Sequence, residues 1–331
     1  MIAQAEYPEP SALRTEFLAS EGEGKSTNPM QKHYFPLSKY FKETFNKKVY
    51  KITLDAGLYC PNRDGTISKG GCIFCDEVGS YSRCNNAQTI KEQVLSSIEK
   101  LSAQFKAQAF MAYFQSYSNT YGDIKKLKEI YDSVFFDERV VSISIGTRPD
   151  CVDSEKLDLI ASYPHPWIEY GLQSSHNETL KKINRGHDFE CFERAVLETK
   201  KRDIKVCAHI ILGFPNETRE MMLDTARKLA QLEIDSVKIH MLTILKDSPL
   251  AHIYNQNPFY LMNMEQYCET VCDILEILPP NCIIQRIAGT GYSETTLEPK
   301  WVNRRFEILN MIDKIMIQRN SFQGDKYNKK V

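Results

Sequence analysis

The stretch VYKITLDAGLYCPNRDGTISKGGCIFC, residues 49–75, joins a strand-like start to a loop that carries three cysteines. Its first part, residues 49–54, has the β-branched and aromatic composition of a strand. The cysteines that follow have the spacing C-x11-C-x2-C. Their thiolates are the soft ligands that iron–sulfur clusters and zinc select, and Gly65, Gly70 and Gly71 allow the longer arm to curl around a bulky metal group. We therefore expect a metal centre at the carboxyl end of the first strand.

The number of cysteines in this loop is informative, because a cubane cluster with three protein ligands leaves one iron open. Cys60, Cys72 and Cys75 are these ligands. The open iron can take an external chelate, such as the amino and carboxylate groups of methionine, and Phe74 offers an apolar face to an adenine ring. The alternative is a zinc site with Cys84 as the fourth thiolate. It is disfavoured because four-cysteine zinc sites usually consist of two close pairs, and Cys84 has no close partner.

A regular alternation of strands and helices accompanies the loop. The apolar strand candidates are residues 49–54, 109–115, 140–146, 167–173, 205–212 and 236–242. The helix candidates are residues 88–104, 122–135, 154–162, 177–183, 188–202 and 218–232. Such alternation implies parallel βαβ units covered by helices. It predicts an α/β fold with a partial (β/α)6 TIM-type barrel, an open Rossmann sheet being the alternative. Barrel active sites lie at the carboxyl ends of the strands, where the cysteine loop falls.

The chain divides into three predicted segments. Residues 1–29 contain prolines, glycines and an acidic excess without sustained periodicity, which predicts a flexible leader or tail. Residues 30–245 form the barrel core. Residues 246–331 form a small C-terminal α/β extension that packs on the core, with a helix near 264–278, a strand near 282–287 and a helix near 301–319.

Composition excludes several classes of protein. Among 331 residues, 42% are hydrophobic and 26% are charged, as in globular proteins, and the net charge of −1 gives the whole chain no nucleic-acid signature. No apolar run approaches the roughly 18–20 residues that span a bilayer, so we expect no membrane partner. Ten cysteines without an export signal suit a reducing compartment, where clustered cysteines bind metal or do chemistry. We therefore expect a cytoplasmic protein.

The cysteine loop resembles the cluster loop of radical S-adenosylmethionine (SAM) enzymes. Its spacing is similar to that of the branch that includes the catalytic subunit of Elongator and the YhcC-like proteins, and the resemblance spans roughly residues 33–325. It implies that Cys60, Cys72 and Cys75 ligate a 4Fe-4S cluster and that SAM is the second cofactor. It further implies reductive cleavage of SAM to a 5′-deoxyadenosyl radical, which abstracts hydrogen from a substrate. An external one-electron donor such as flavodoxin is implied as a partner.

Two segments resemble the parts of this family that hold the methionyl end of SAM. FQSYSNTYGD, residues 114–123, stands where the family has a glycine-rich GGE-type turn, which implies that Gln115 and Ser116 lie near the methionyl amino group. IEYGLQSSHNETLKKINRGH resembles the family's GVQS…NRGH signature. This resemblance implies that Gln173 approaches the SAM ribose or carboxylate. It implies that Arg185 pairs with the carboxylate, a task suited to a guanidinium fork.

Two further turns resemble family motifs. GTRPDC, after the third strand, is similar to an RPD-type turn, and HIILGFPNET, after the fifth, is similar to a GxPgET turn. The second resemblance implies that Ile211 flanks the adenine and that His209 is a polar cofactor contact. His209 equally suits a core histidine with satisfied hydrogen bonds. Glu169 lies on the same strand face as Gln173, so we expect a polar lumen residue that needs a partner if buried.

Structural interpretations compete with several of these assignments. Gln173 also fits a strand-end cap, and Arg185 also fits a surface ion pair. Cys268, Cys272 and Cys282 are spaced C-x3-C-x9-C, which admits an auxiliary cluster. Free cysteines are among the most buried residues, so core packing is favoured for these three.

The substrate is the least constrained part of the prediction. Residues 300–331 hold eight basic and three acidic side chains, which fits either a solvated helix face or a basic rim that meets RNA. The Elongator-like resemblance favours a tRNA base, whereas the neutral overall charge favours a small molecule or a protein side chain. A function of another class is a zinc- or cluster-binding nucleic-acid module without catalysis.

Overall fold

The computed structural model describes residues 32–75, 88–289 and 294–328. The expectations for residues 1–29 and for Cys84 lie outside the described residues. In chain order the strands are β1 (Val49–Leu54), β2 (Ala109–Phe114), β3 (Val140–Thr147), β4 (Pro166–Gln173), β5 (Lys205–Leu212), β6 (Ser236–Met241), β7 (Ile244–Leu245), β8 (Ile283–Arg286) and β9 (Thr296–Glu298).

Helices follow most of these strands. They are α1 (Leu37–Phe45), α2 (Ile90–Phe105), α3 (Ile124–Asp132), α4 (Ser154–Ala161), α5 (Asn177–Lys182), α6 (Phe189–Lys200), α7 (Arg219–Gln231), α8 (Pro249–Gln256), α9 (Met264–Ile277) and α10 (Arg305–Gln318). None of the helices in the described ranges combines the length and apolar character needed to cross a bilayer.

Seven strands form one parallel sheet in the order β1-β2-β3-β4-β5-β6-β8. Sequential strands lie side by side, as in a TIM-type barrel, which confirms the predicted partial barrel. The seventh strand, β8, comes from the stretch that sequence analysis placed in the C-terminal extension, and it pairs with β6. Because β8 completes the sheet, residues beyond the sixth strand also contribute to the lumen.

The structure contains elements that the sequence pattern does not predict. Helix α1 begins after Pro36 without a side-chain cap, so it lacks the usual start signal. Strands β7 and β9 pair antiparallel and hold only 2 and 3 residues, too few for a visible alternation. Most of the helices that were predicted begin where a polar side chain accepts a hydrogen bond from the backbone of the first turn. These N-caps are Thr89, Asp123, Asp153, Asp188 and Thr218.

The two faces of each strand enter different environments. On β4, Ile168, Tyr170 and Leu172 pack into the main core with the covering helices. The alternate residues Trp167 and Glu169 point to the lumen, as the two-residue period of a strand requires. The lumen therefore begins with an apolar residue at the amino end of β4 and continues with a charged one.

Helix α1 closes the bottom of the lumen. Phe41 on this helix packs in a small apolar cluster with Trp167 and residues at the amino ends of other strands, and the rings of Tyr40 and Trp167 meet edge-on at 5.5 Å. The further members of this floor are Val49, Ala109, Met111, Cys207 and Ile283. Because this floor is apolar and filled, a ligand in the lumen enters from the carboxyl ends of the strands.

Packing of α6 on β4 provides a test of the fold. Phe192 is fully buried and meets Tyr170 edge-on, so Phe192→Ala is expected to lower the free energy of unfolding by about 3–5 kcal/mol. The control Phe322→Ala removes the same side chain at a site that is 57% exposed, and its effect is expected to stay within about 0.5 kcal/mol. Urea unfolding measures both values. Equal losses in the two variants would contradict the placement of α6 on the core.

Candidate functional site

A cavity of ≈ 590 Å³ opens at the carboxyl ends of the strands. Its wall combines residues from the loop after β1 with residues from β2 to β8. The predicted site residues on this wall are Cys60, Cys72, Phe74, Cys75, Gln115, Gln173, Arg185, His209 and Ile211. Ser116, by contrast, is buried but does not line the cavity. The fold therefore brings almost all of these residues to one place.

Backbone hydrogen bonds hold the cysteine loop in shape. The N–H of Arg63 donates to the carbonyl of Cys60 at 2.9 Å, and the N–H of Cys75 donates to the carbonyl of Cys72 at 3.0 Å. Gly71 has a φ of 78°, in the left-handed region that favours glycine. This local turn directs all three cysteines toward the same cavity.

The environment of Cys72 favours a thiolate. A hydrogen bond from Cys75 is the largest cause that holds the pKa of Cys72 well below its usual range, and the nearby charge of Arg185 adds to it against the effect of burial. The Nη1 atom of Arg185 lies 3.4 Å from the Cys72 sulfur, and the Nδ2 atom of Asn62 lies 3.5 Å from it. Thiolates are the form of cysteine that binds iron. Three soft donors on one wall, with one already stabilised as an anion, fit an iron–sulfur cluster.

Arg185 joins β4 to the cysteine loop. It is buried, and its Nε and Nη2 atoms donate to the carbonyl of Gly171 at 3.1 and 2.6 Å while Nη1 faces Cys72. A Cβ at Gly171 would lie 2.7 Å from Arg185 Nη2, so a side chain there would have to displace the guanidinium. Arg185 is thus not the surface ion pair of the structural interpretation.

Gln173 lies at an irregularity in the pairing of β4 with β5. Its φ is 76°, and the register shifts between Gly171 and Gln173. A bulge of this kind re-aims a side chain, and the side chain of Gln173 lines the cavity beside Arg185. Its contact with SAM stays a prediction, as does that of Arg185.

Three buried polar atoms on the cavity wall have no hydrogen-bond partner among the described residues. They are Ser118 Oγ, Arg148 Nη1 and His240 Nε2. The other end of the Arg148 fork binds Asp150 through Nε at 2.9 Å and Nη2 at 2.6 Å. Because buried polar groups normally find partners, these atoms are candidate positions for the polar atoms of a ligand. The Ser116 oxygen also has no partner, but it faces away from the cavity wall.

An apolar wall lies beside the polar one. The ring of Phe74 lies 5.9 Å from that of Phe214, and Ile211 packs in the same cluster with Leu242. Phe74, Ile211 and Leu242 also line the cavity. This surface suits a flat apolar group, as expected for Phe74 and Ile211 beside an adenine.

Glu169 is the centre of a buried polar cluster lower in the lumen. Its Oε1 atom accepts hydrogen bonds from Lys51 and, at 2.7 Å, from Ser144. Its Oε2 atom accepts from Lys238 and, at 2.8 Å, from His209 Nε2. Although burial opposes ionisation, Lys238 and Lys51 hold the pKa of Glu169 well below its usual range. The sequence predicts that a buried Glu169 needs a polar partner, and the structure supplies four.

The bases of this cluster differ in charge. Burial, followed by the charge of Lys238, lowers the pKa of His209 to about 4, so its imidazole is neutral near pH 7. Burial lowers the pKa of Lys238 to about 8 despite Glu169, so its ammonium remains charged there. Glu169, Cys207 and His209 have the spacing of a metal site. Two ammonium groups on the same carboxylate oppose a cation, so we do not assign a metal to them.

The C-terminal segment carries fewer unpaired charges than its sequence indicates. Three of its basic side chains form ion pairs, namely Arg304 with Glu307, Arg319 with Asp273 and Lys326 with Glu276. Within residues 300–328, half of the six basic side chains are therefore neutralised by a protein carboxylate, which weakens the interpretation as a basic rim.

The cysteines of α9 act as core residues. The Sγ atoms of Cys268 and Cys272 each lie 3.7 Å from carbonyl oxygens of α10, those of Ile308 and Ile312. Burial raises the pKa of both thiols to about 12. Cys282 is buried as well. Protonated thiols between packed helices support the core interpretation.

Comparisons with known proteins agree with this geometry. A family model described as the radical SAM superfamily matches residues 60–229, and one described as the Radical_SAM C-terminal domain matches residues 234–318. Protein YhcC of Escherichia coli (strain K12) is 34% identical over 276 residues, which cover 82% of this chain and 88% of that protein.

More distant relatives share parts of the chain. A tRNA uridine(34) acetyltransferase of Methanocaldococcus infernus is 26% identical over 144 residues, 43% of this chain and 27% of that protein. Among solved structures, an N-terminally truncated archaeal Elp3 of Methanocaldococcus infernus has a TM-score of 0.64 at 17% identity, and the match covers 84% of this chain and 64% of that one. The last likeness shows a common fold.

Iron content distinguishes the cluster cysteines from the core cysteines. The anaerobically reconstituted protein is expected to hold about four iron atoms per chain. Cys72→Ala is expected to lose most of this iron together with its visible absorbance, because one of three ligands is gone. Cys272→Ala, a matched change at a buried cysteine of α9, is expected to keep it. Loss of iron from Cys272→Ala alone would overturn the assignment.

Proposed function

This chain belongs to the radical SAM superfamily, and on that basis we propose that it is an enzyme that abstracts hydrogen from a base of tRNA. Enzymes of the superfamily use a 4Fe-4S cluster and SAM, and these are the cofactors of this chain. The superfamily membership sets aside the zinc-binding module without catalysis. The tRNA substrate is the finer part of the proposal.

We assign Cys60, Cys72 and Cys75 as the ligands of the cluster. The support is their position on one cavity wall and the donors that stabilise the Cys72 thiolate. With both cofactors bound, the reduced cluster supplies one electron that cleaves SAM and releases a 5′-deoxyadenosyl radical. Arg185 keeps the cysteine loop fixed against β4 while this happens, because its guanidinium binds Gly171 and Cys72 together. We propose that an external one-electron donor such as flavodoxin reduces the cluster.

The polar wall binds the methionyl part of SAM in this proposal. The unpartnered Ser118 Oγ accepts a hydrogen bond from the methionyl amino group, and the unpartnered Arg148 Nη1 donates to an acceptor of the ligand. Gln173 and Arg185 lie on the same wall for the ribose and carboxylate. Phe74 and Ile211 flank the adenine, and the apolar surface around them excludes water from the radical.

Support for tRNA comes from one relative, the tRNA uridine(34) acetyltransferase that shares part of this chain. The charges of the C-terminal segment lend little support, since three of the six basic side chains in residues 300–328 form ion pairs. An RNA base has to enter the lumen from the carboxyl ends of the strands, because α1 and its apolar cluster close the other end.

The role of Ser118 can be tested by SAM binding. Ser118→Ala is expected to raise the Kd for SAM about threefold to tenfold, because one hydrogen bond to a charged group is lost. Ser116→Ala is the matched control, since its oxygen is also buried and unpartnered but lies off the cavity wall. Calorimetric titration of the reconstituted protein measures both. A larger effect at Ser116 than at Ser118 would reverse the assignment.

The tRNA proposal can be tested by nucleoside profiling. Bulk tRNA from a deletion strain is expected to lack one modified nucleoside, or to accumulate its precursor, relative to the parent strain. A plasmid copy of the gene is expected to restore the profile, whereas a copy with Cys72→Ala is expected to fail. An unchanged tRNA profile in the deletion strain would count against tRNA and favour a small molecule or a protein side chain.

A further inference from the structure

The charged cluster around Glu169 lines the same cavity as the polar wall that we propose for SAM, which includes Gln173 and Arg185. Tyr113, Glu169, His209, Lys238 and His240 all line it together with the cysteines. They lie on β2, β4, β5 and β6, with Lys238 paired to His209 and His240 paired to Ile211. A substrate that reaches into the lumen past SAM therefore meets these side chains.

The cluster holds more positive than negative charge. Glu169 is the single carboxylate on the described part of the cavity wall, and both of its oxygens already accept two hydrogen bonds each. Two ammonium groups, those of Lys51 and Lys238, share this one carboxylate. His209 is neutral, and the buried phenol of Tyr113 has a pKa well above its usual range. One positive charge is therefore left without a protein counter-ion.

Lys238 is the ammonium that faces the cavity. Its Nζ atom donates to Glu169 and lies 4.2 Å from the centre of the Tyr113 ring. One carboxylate oxygen uses one of its three N–H groups, and the cavity is open beside it. Lys51, by contrast, binds Glu169 and Gln285 and is not on the wall.

Two further polar side chains line the cavity, His240 two residues beyond Lys238 on β6 and Arg286 paired with Lys238 in the sheet. His240 Nε2 is buried without a hydrogen-bond partner among the described residues, and its ring lies 5.4 Å from that of His209. Arg286 follows on β8, lines the cavity and is exposed there, and no ion pair or hydrogen bond engages it within the described ranges. A guanidinium fork that is open to a cavity is suited to a carboxylate.

We propose that Lys238, His240 and Arg286 bind a carboxylate carried by the substrate in the lumen. The proposal rests on the proposed function, because it places the substrate in the cavity that holds SAM. A carboxylate is favoured because its two oxygens match the planar fork of Arg286, with the ammonium of Lys238 on the same wall. The methionyl carboxylate of SAM is engaged at the open iron, so the carboxylate bound here belongs to the second molecule. That molecule is either a tRNA base with a carboxylate-bearing substituent or a free carboxylic acid.

Trifluoroacetate is a probe for this site, observed by ¹⁹F NMR on the reconstituted protein with SAM bound. We expect saturable binding with a Kd on the order of 1 mM. Arg286→Gln is expected to weaken it about tenfold, and the double variant with Lys238→Met is expected to abolish it. Because Arg286 is exposed, Arg286→Gln is expected to fold even if changes at Lys238 do not.

Controls make the result specific. Arg194→Gln removes an arginine from an exposed face of α6 and is expected to leave trifluoroacetate binding unchanged. Neutral trifluoroacetamide is expected not to bind. Equal affinity in wild type and Arg286→Gln, equal binding of the amide, or tighter binding of inorganic phosphate than of trifluoroacetate would each overturn the proposal.

The test separates this proposal from the proposed function. Formation of 5′-deoxyadenosine from SAM and reductant reports on the radical chemistry and needs no carboxylate. If it occurs and trifluoroacetate does not bind, the carboxylate site fails alone. If trifluoroacetate binds as expected and the tRNA profile is unchanged, the carboxylate site stands and its ligand is a free acid. A missing tRNA nucleoside together with binding supports a carboxylate-bearing base.

Discussion

The guanidinium of Arg185 is the contact on which the rest of the site depends. It binds the carbonyl of Gly171 with two nitrogens and faces the sulfur of Cys72 with the third. Gly171 leaves room on β4 for the fork, which a Cβ at this position would displace. One residue thus fixes the distance between the cysteine loop and the sheet, and it also supplies positive charge to the thiolate. A lysine would replace only one of these contacts.

Above the floor formed with α1, the lumen is arranged in levels. Apolar side chains around Trp167 fill the bottom, and Glu169 with its four donors forms the middle. Gly171, Gln173 and Arg185 form the top. Parallel strands in this register produce such levels automatically, because side chains two residues apart on one strand lie at successive depths. Each level therefore has its own chemistry although every strand contributes to all of them.

Much of this arrangement follows from the sequence, and the exceptions have physical reasons. The six strands and their helices were predictable because buried strands read as apolar runs and polar caps start the helices. The cysteines were predictable from spacing. The choice of Ser116 over Ser118 was not settled by sequence, because alternation stops where the strand ends and either serine can face the cavity. Strand β8 was predicted near residues 282–287, but its pairing with β6 was not, because four residues carry no signal of their partner strand.

The middle level was the least predictable part of the lumen. Lys51 and Lys238 are ordinary lysines in their own strands, and only the register across the curled sheet brings both to Glu169. A buried charge excess is costly unless something offsets it, and Glu169 offsets only one of two ammonium groups. In our proposal the cluster and SAM supply the family chemistry, and the residual positive charge contributes to the choice of the molecule that occupies the lumen.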